Sequence, residues 1–486
     1  MSAESDKSQS KTLKPASAGK GNQTVIEIVS LYQAQSKIYP RAVSGLFARW
    51  RWGLVWFTQI LFYGLPWLQW NDRQAVLFDL ASRRFYIGGL VLYPQDFIYL
   101  TGLLLISAYA LFLFTAVAGR LWCGFACPQT VYTEIFMWIE RKFEGDRQAR
   151  IKLDAAPWGF NKLWRKSATQ LSWIVVGLWT GFSFVGYFTP IKELWAEAFT
   201  LGFGPWEWFW VLFYGFATYG NAGFLREQVC KYMCPYARFQ SAMFDKDTLI
   251  ISYDAERGEP RGSRSKKTDI KAAGLGSCID CTLCVQVCPT GIDIRKGLQY
   301  ECIGCAACID VCDGVMDKMD YPRGLVRYAT QREIVTGARE HLSLRHLLRP
   351  RVLIYSAILL TIGGAFVTSL WLRAPLRIDV VRDRGALARL VQDGRIENSY
   401  SVQLMNNTEA ALPVSIGVRG IPGAEAQVRG TLVLAPAESR WVPVSVQVPP
   451  DAAQSLGAGA HPVEFVISLD EGRAPLVEKS TFIVPR

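Results

Sequence analysis

The runs "CIDCTLCVQVCP" at residues 278–289 and "CIGCAACIDVCD" at residues 302–313 hold eight of the twelve cysteines in this chain. Each run has the spacing C-x2-C-x2-C-x3-C, in which the first three cysteines wrap three corners of a [4Fe–4S] cubane on one tight loop. Zinc is the competing ligand, but zinc motifs usually pair C-x2-C with a distant second pair or with histidines. The duplicated spacing therefore predicts a bacterial-type ferredoxin domain with two [4Fe–4S] clusters.

In such duplicated runs the fourth cysteine crosses over and ligates the other cluster. The spacing predicts one cluster held by Cys278, Cys281, Cys284 and Cys312, and a second held by Cys288, Cys302, Cys305 and Cys308. One departure is visible, because Asp313 follows the second run where Pro289 follows the first. Asp313 adds negative charge near the first cluster, which lowers the expected reduction potential of that cluster.

The other four cysteines form two matching C-x3-C-P motifs, "RLWCGFACP" at 120–128 and "REQVCKYMCP" at 226–235. They are Cys123, Cys127, Cys230 and Cys234. Each motif follows an apolar segment and precedes an amphipathic stretch, so the unit of two spans, motif and surface helix occurs twice. Pro128 and Pro235 suit the first turn of a new helix, which places the thiols where a span meets a surface helix.

The sequence leaves three interpretations of these four cysteines open. Unliganded buried cysteine is common, and a disulfide is disfavoured in a reducing compartment. A metal site is favoured, because paired soft thiolates suit Cu(I), zinc or a further iron–sulfur cluster. Since C-x3-C-P is also the tail of a ferredoxin motif, a third cluster competes directly with copper. Met137, Met233 and Met243 lie nearby in sequence and could add thioether ligands, although packing is the commoner role of methionine.

Five stretches reach the roughly 20 apolar residues that a helix needs to cross a bilayer. The predicted spans are Gly53–Trp70, Phe97–Gly119, Ala168–Phe188, Trp206–Leu225 and Val352–Leu372. Tryptophan and tyrosine gather at many of their ends, as at a membrane interface, whereas five buried helices of a soluble protein are the alternative. The sequence thus predicts an integral membrane α-helical protein with five transmembrane helices.

Lysine and arginine are shared unevenly among the loops, and this bias predicts the orientation. Residues 1–51, 120–167 and 226–351 carry 8, 9 and 20 of the 53, whereas residues 71–96 and 189–205 carry 3 and 1. The N-terminus and both clusters are therefore expected on the cytoplasmic side of a bacterial inner membrane, with the C-terminal domain in the periplasm.

The net charge of +11 follows from this distribution, so no nucleic-acid site is expected. No signal peptide is expected either.

Beyond Arg373 the pattern changes to short alternating segments punctuated by Pro, Gly, Asn and Ser. They are "SYSVQLMN" (399–406), "PVSIGVRG" (413–420), "GTLVLAP" (430–436), "WVPVSVQV" (441–448), "PVEFVISLD" (462–470) and "STFIVP" (480–485). Six or seven strands in about 110 residues predict an immunoglobulin-like β-sandwich. This region has no cysteine and a single histidine, so protein contact is its expected role.

The predicted organisation has five parts. They are a cytoplasmic tail (1–51, with 1–24 disordered), four transmembrane helices with both C-x3-C-P motifs (52–246), a ferredoxin domain (247–349), a fifth transmembrane helix (350–373) and a periplasmic sandwich (374–486). None of the three histidines, His341, His346 and His461, lies within a predicted span, which argues against a bis-histidine haem in the bilayer. His341 and His346 are expected at the interface before the last span.

Together, the five spans, "CGFACP", "CKYMCP", the paired ferredoxin runs and the terminal sandwich resemble the FixG/RdxA/CcoG family, accessory proteins of cbb3-type cytochrome c oxidase assembly. The resemblance covers nearly all of residues 25–486. It implies reduction of Cu(II) to Cu(I) for the oxidase copper centre. In this reading the chain is a membrane-bound cupric reductase, in which the two clusters pass single electrons to copper held near Cys123, Cys127, Cys230 and Cys234.

Two other functions stay open on the sequence. One is a quinol-linked electron-transfer subunit without copper, and the other is a copper-binding scaffold or redox sensor whose clusters report oxygen. The expected partners are the membrane, an unidentified cytoplasmic electron donor, copper ions, and copper-delivery or oxidase assembly proteins. Homo-oligomerisation is left open.

Overall fold

A computed structural model describes residues 37–336, 348–383, 388–428, 430, 432–469 and 475–485. The chain divides into two units, Met1–Ile38 and Tyr39–Arg486, and every element below belongs to the second unit. The disorder predicted for residues 1–24 and the interfacial position predicted for His341 and His346 fall outside the described residues.

Helices make up most of the second unit before the C-terminal domain. The helices numbered here are α1 Leu46–Gly64, α2 Phe97–Ala118, α3 Leu121–Phe125, α4 Pro128–Glu144, α5 Arg147–Ala155, α6 Phe160–Val185, α7 Ile191–Thr200, α8 Pro205–Thr218, α9 Pro235–Met243, α10 Ala307–Met319 and α11 Pro350–Trp371. Two π-helical segments, Tyr219–Leu225 and Val229–Met233, separate α8 from α9. Short α-helices cover Ala255–Gly258, Ile270–Ala273, Leu283–Gln286, Gln331–Thr336 and Pro450–Leu456, and short 3₁₀ segments cover Leu65–Trp67, Pro94–Asp96, Ile294–Lys296 and Gln392–Gly394.

Among the described residues, three helical segments are long and apolar enough to cross a membrane. They are Pro94–Ala118, Phe160–Val185 and Pro350–Trp371. The prediction of five spans is therefore wrong, because the stretches Gly53–Trp70 and Trp206–Leu225 do not form such helices.

The physical reasons differ between the two stretches. Helix α1 begins at Leu46, before the predicted span, so its 19 residues include Arg49 and Arg51. Helix α8 has only 14 residues before the π-helical segment begins. At 1.5 Å rise per residue α8 is about 21 Å long, whereas a hydrocarbon core is about 30 Å thick.

Small residues and aromatic rings hold the helices together. A methyl group on Gly181 in α6 would lie 2.2 Å from the carbonyl oxygen of Val211 in α8, so the two helix backbones are in contact. Helix α4 packs against α6, where the rings of Phe136 and Trp173 stack with centroids 5.2 Å apart. The surface helix α4 is thereby fixed to an apolar helix, and the cysteine at its start is fixed with it.

Among the described residues, three small sheets lie outside the C-terminal domain. Strands β1 Val76–Asp79, β2 Arg84–Ile87 and β3 Leu90–Leu92 form an antiparallel sheet between α1 and α2. Strand β4, Ile250–Tyr253, precedes the two ferredoxin runs in sequence, and strand β5, Val326–Ala329, follows them. These two strands pair antiparallel. Two-residue strands Gln69–Trp70 and Arg73–Gln74 pair with each other.

The C-terminal domain is a sandwich of two antiparallel sheets, as predicted. Its strands are β6 Leu376–Arg382, β7 Ile396–Asn406, β8 Leu412–Arg419, β9 Glu425–Val428, β10 Leu432–Leu434, β11 Ser439–Val448, β12 Gly459–Leu469 and β13 Leu476–Val484. One sheet has the order β9-β11-β7-β6, with Arg389–Leu390 paired to β7, and the other has the order β10-β8-β12-β13. Alternate residues such as Val463, Phe465 and Ile467 are fully buried between the sheets. Strands β6 and β9 were not predicted.

The sandwich and the ferredoxin runs contact opposite ends of α1 and α2. At one end, Tyr93 donates its hydroxyl proton to the carbonyl oxygen of Asn406 over 3.0 Å, and Arg73 forms an ion pair with Glu409 at 2.6 Å. At the other end, the backbone N–H of Ala48 donates to Asp310 of α10 over 2.7 Å. The helices therefore separate the cluster-binding loops from the sandwich.

Candidate metal centres

The four cysteines predicted to hold the first cluster line a single cavity. Cys278, Cys281, Cys284 and Cys312 surround it, together with apolar side chains of the ferredoxin core. Burial first, and then the thiolates of Cys284 and Cys281, raise the pKa of Cys312 to about 12. Cys312 is the last cysteine of the second run, so the chain brings it across to the first. Cys281 is exposed, which places this set at the protein surface.

The second set is assembled in the same way but lies in the interior. Burial first, and then Cys305, Cys302 and Cys288, raise the pKa of the Cys308 thiol well above its ordinary value. Cys288 is the last cysteine of the first run, so it has crossed over in the opposite direction. Cys305 is buried within an apolar cluster that also contains Val287 and Ile303.

Both loops turn around their middle cysteine through left-handed backbone. Asp280 and Thr282 flank that cysteine in the first run with φ of 52° and 55°, and Gly304 and Ala306 flank it in the second with φ of 72° and 58°. Non-glycine residues in this region cost about 1–3 kcal/mol each, and they persist where the surroundings enforce them. The same strain at equivalent positions supports the same role for both loops.

Both ferredoxin sets fit a cubane better than a single ion. No three His, Cys, Asp or Glu side chains in the described part of the chain converge closely enough to hold one metal ion, in the ferredoxin runs or in the C-x3-C-P motifs. A tetrahedral ion with metal–sulfur bonds near 2.3 Å draws its ligand sulfurs to about 4 Å from one another. A cubane instead takes one cysteine at each of four separate corners, which suits thiols grouped around a shared cavity.

The two C-x3-C-P motifs end alike, although the first cysteine lies in an α-helical segment, Leu121–Phe125, in one motif and in a π-helical segment, Val229–Met233, in the other. The second cysteine of each motif precedes the first helical proline, so Cys127 is the N-cap of α4 and Cys234 is the N-cap of α9. The N–H of Cys127 donates to the carbonyl oxygen of Trp122 over 3.0 Å, and the N–H of Cys234 donates to that of Val229 over 2.8 Å. The repeat is therefore present in the hydrogen bonds as well as in the sequence.

The fold brings all four of these cysteines together as one group, called here the membrane-edge site. Burial first, and then the thiolates of Cys127, Cys123 and Cys234, raise the pKa of Cys230 to about 12. Each motif therefore supplies half of the site. All four thiols are half-buried, so the site lies beneath the surface but not in the deepest part of the core.

A buried polar chain supports Cys123. Its thiol donates to the side-chain oxygen of Gln240, 3.3 Å away, and the Gln240 amide donates to the hydroxyl of Thr115 over 3.2 Å. Gln240 and Thr115 are both fully buried. Gln240 lies on α9 and Thr115 on α2, so this contact joins the two repeats. No sequence pattern pointed to Gln240, because a glutamine on an amphipathic stretch is usually solvated.

The membrane-edge site lies directly against the second ferredoxin loop. A methyl group on Gly124 would lie 2.7 Å from the backbone nitrogen and Cα of Cys305, and one on Gly304 would lie 3.0 Å from the carbonyl of Arg120. Cys123 and Cys230 also pack against the apolar cluster that contains Cys305. The two backbones thus touch within one residue of a cysteine on each side.

The ferredoxin helix α10 is also attached to the start of α1. The carboxylate of Asp310 accepts the backbone N–H groups of Phe47 and Ala48 over 3.1 and 2.7 Å, so it caps the N-terminus of α1. Buried Arg51 donates to the carbonyl oxygen of Cys305 over 3.0 Å. The sequence had placed Arg51 in a charged cytoplasmic tail, and only the packing of α1 against α10 gives it a partner in the second loop.

One cavity borders the membrane-edge site. Cys230, Met137, Glu134 and Glu227 line it on one side, and Cys305 lines it on the other. Of the three methionines considered from the sequence, Met137 thus lies beside a membrane-edge cysteine, while Met233 is exposed.

Family profiles match three parts of the chain. A "4Fe-4S binding domain" matches residues 100–145, a "4Fe-4S dicluster domain" matches residues 225–331, and an "IG-like fold at C-terminal of FixG" matches residues 366–485. The first two ranges include both C-x3-C-P motifs and both ferredoxin runs.

Whole-chain relatives extend this comparison. "Nitrogen fixation protein FixG" of Rhizobium meliloti is 37% identical over 485 residues, covering 93% of this chain and 90% of that protein. "Protein RdxB" and "Protein RdxA" of Cereibacter sphaeroides are 42% and 38% identical, covering 80% and 82% of this chain and 83% and 86% of their own lengths. A crystal structure of a FixG-related protein from Vibrio parahaemolyticus is 24% identical, covers 23% of this chain and 96% of that chain, and has a TM-score of 0.20.

The cysteine sets, the apolar helices and the sandwich define a membrane-associated iron–sulfur electron-transfer protein. The chain belongs to the FixG family, since it is 37% identical to FixG over nearly the whole of both chains. The predicted family, the iron–sulfur cofactors and the immunoglobulin-like domain are therefore confirmed.

Proposed function

We propose that this protein carries single electrons from a cytoplasmic donor, through two [4Fe–4S] clusters, to the membrane-edge site, where Cu(II) is reduced to Cu(I). The proposed cluster ligands are Cys278, Cys281, Cys284 and Cys312 for the first cluster, and Cys288, Cys302, Cys305 and Cys308 for the second. The observation that carries the proposal is the backbone contact between Gly124 and Cys305. It brings the second ferredoxin loop and the C-x3-C-P motif into van der Waals contact.

The order of the three centres follows from their burial. The first set includes exposed Cys281, where a soluble donor can approach. The second set includes buried Cys305, which belongs to the same cluster as Cys123 and Cys230 of the membrane-edge site. When bound, the clusters supply one-electron redox chemistry, and the loops keep water from the second set. An electron that arrives at the surface therefore has a continuous protein path inward.

Copper is the proposed substrate because of the ligands around the path. Thiolates and thioethers are soft ligands that suit Cu(I). Cys230 and Met137 both line the cavity beside the membrane-edge site, and the carboxylate of Glu227 offers an oxygen ligand to an arriving Cu(II) ion, whereas Glu134 is paired with Arg51. When bound by Cys288, Cys302, Cys305 and Cys308, the second cluster would supply the one electron that each Cu(II) ion needs to become Cu(I).

A second candidate is a third [4Fe–4S] cluster at the membrane-edge site, in a quinol-linked electron carrier without copper. The matched "4Fe-4S binding domain" favours it, because residues 100–145 include Cys123 and Cys127. A copper-binding scaffold or redox sensor needs the same sites but no turnover. These functions differ in metal content and in product, so one paired measurement separates them.

The proposed orientation places the N-terminus and the clusters in the cytoplasm and the sandwich in the periplasm of a bacterial inner membrane. Two observations support it. Lysine and arginine are most numerous in residues 226–351, the segment that contains both ferredoxin runs, and the sandwich contacts the opposite ends of α1 and α2. The sandwich is proposed to contact oxidase assembly or copper-delivery proteins.

The test measures iron content and Cu(I) formation on the same anaerobic sample. In the proposed reductase, Cys123→Ser and Cys230→Ser abolish Cu(I) formation and leave both ferredoxin clusters present and reducible. Iron loss confined to these variants would instead identify a third cluster. Unchanged Cu(I) formation in the variant with all four cysteines replaced would contradict the proposal.

Met137→Leu tests the cavity separately, and it is expected to weaken copper capture without changing the iron content.

A further inference from the structure

The junction between the second ferredoxin loop and the membrane-edge site contains a buried cation. Arg120 is the residue before α3, three positions ahead of Cys123, and its side chain is almost completely buried at 6% exposure. Its backbone carbonyl lies against Gly304, which has φ of 72° and so needs no side chain in the contact. A charged side chain at this depth needs polar partners, because desolvation of an ion is costly.

The guanidinium of Arg120 joins three separate segments. One terminal nitrogen donates to the carbonyl oxygen of Tyr300, two residues before Cys302, and the other donates to that of Ala237, three residues after Cys234. With its own position before Cys123, the side chain connects both C-x3-C-P motifs to the second loop. Its Nε has no hydrogen-bond partner in the part of the chain that the structure describes.

The partners of Arg120 differ from those of the other buried arginine near the second loop. Both terminal nitrogens of Arg120 donate to carbonyl oxygens, which carry no net charge. Arg51, which is equally buried, donates to the carbonyl oxygen of Cys305, and its Nε lies 3.6 Å from the carboxylate of Glu134. Arg51 is therefore paired with an acid, whereas Arg120 joins the second loop to both C-x3-C-P motifs.

We propose that Arg120 is a positioning residue that holds the membrane-edge site against the second ferredoxin loop and sets the reduction potentials of both. The inference rests on the proposed electron transfer between these two sites. Each gains one negative charge when it accepts an electron, and a buried cation between them stabilises the reduced form of whichever site holds it. Because the guanidinium lies between the two sites, its positive charge stabilises the electron on either side of it and favours the reduced form of neither site strongly.

Matched variants separate this role from general packing. Arg120→Gln removes the charge and is expected to shift the midpoint potential of the second cluster downward. It is also expected to weaken Cu(I) binding at the membrane-edge site by about tenfold, because a thiolate–Cu(I) centre loses a nearby cation. Arg51→Gln is expected to shift only the second cluster. Arg120→Lys keeps the charge but has no planar fork for two carbonyl oxygens, so it is expected to keep the potential and slow the transfer.

The readouts are a redox titration of the full-length protein followed by electron paramagnetic resonance, and competition for Cu(I) with a chromophoric chelator. Equal results for Arg120→Gln and Arg51→Gln would overturn the inference, as would an unchanged potential in Arg120→Gln with normal iron content. If Arg120→Gln fails to assemble, Arg120→Lys carries the test, and normal transfer in that variant contradicts the positioning role. Absence of copper reduction in the unaltered protein would instead contradict the proposed function, and the potential of the second cluster would still report on Arg120.

Discussion

The two ferredoxin runs share one spacing but lie in very different surroundings. In the first run the middle cysteine, Cys281, is exposed, and Gln286 is half-buried, with its amide donating to the hydroxyl of Thr282. In the second run Cys305 is buried, and Asp310 at the equivalent position caps α1. Spacing alone thus specifies what kind of cofactor each loop holds. The docking of the second loop specifies its proposed place in the electron path, because the backbone of Cys305 lies against Gly124 of the first C-x3-C-P motif.

The largest expected effect comes from breaking the crossover between the runs. Cys288→Ser removes the fourth ligand of the second cluster although Cys288 lies in the first run. Its expected result is loss of the signal of the second cluster, while the first cluster stays reducible. Electron paramagnetic resonance of the reduced protein distinguishes the two signals. Cys312→Ser is the matched control, and it is expected to damage the first cluster. Loss of the opposite cluster in either variant would contradict the crossover.

An intermediate effect is expected where the second loop touches the C-x3-C-P motif. Gly124→Ala places a methyl group 2.7 Å from backbone atoms of Cys305, which have no room to move. Overpacking of this kind costs about 1–3 kcal/mol of stability, and it also widens the gap between the two sites. A lower thermal midpoint and slower Cu(I) formation are expected.

Gly314→Ala supplies the control, since Gly314 lies on the ferredoxin helix α10. A methyl group there meets no atom within 4 Å, and alanine favours a helix over glycine by about 1 kcal/mol. Its expected result is an unchanged or slightly higher thermal midpoint with normal Cu(I) formation. Equal destabilisation by both alanines would mean that the Gly124 contact is not special.

The smallest effect is expected from the cap on α1. Asp310→Ala leaves the buried N–H groups of Phe47 and Ala48 without their acceptor, and loss of such a cap costs about 0.5–2 kcal/mol. Faster amide hydrogen exchange at the start of α1 is the direct measurement. Gln286→Ala, at the equivalent position of the first run, is expected to change stability by less than about 0.5 kcal/mol. The same exchange rate in both variants would remove the asymmetry between the runs.

The sequence predicted the features that depend on local spacing. Eight cysteines in duplicated runs predicted the ferredoxin loops, and alternating residues after Arg373 predicted the sandwich, which has the predicted immunoglobulin-like form. The matching C-x3-C-P motifs predicted a repeat, and Cys127 and Cys234 indeed begin equivalent helices. These predictions succeed because ligand spacing, strand alternation and proline position act within a few residues of one another.

Hydropathy gave a poorer prediction of the helices. It could not place the start of α1 at Leu46 or the end of α8 at Thr218, so two of the five predicted spans do not form helices long and apolar enough to cross a membrane. Apolar composition measures transfer to lipid, whereas a π-helical turn or a docked arginine depends on neighbours elsewhere in the chain. The helix ends are therefore set by packing as well as by composition.

What the sequence by itself determined is the type of cofactor that the two ferredoxin runs hold. What only the tertiary structure decided is how the cysteine groups lie next to one another, because Arg120, Tyr300 and Ala237 are far apart in sequence and meet only in the folded chain. Contacts of this kind depend on backbone approach at glycine and on burial of a charge, and neither leaves a periodic pattern in the chain. The proposed relay from the exposed loop to the membrane-edge site therefore rests on the fold.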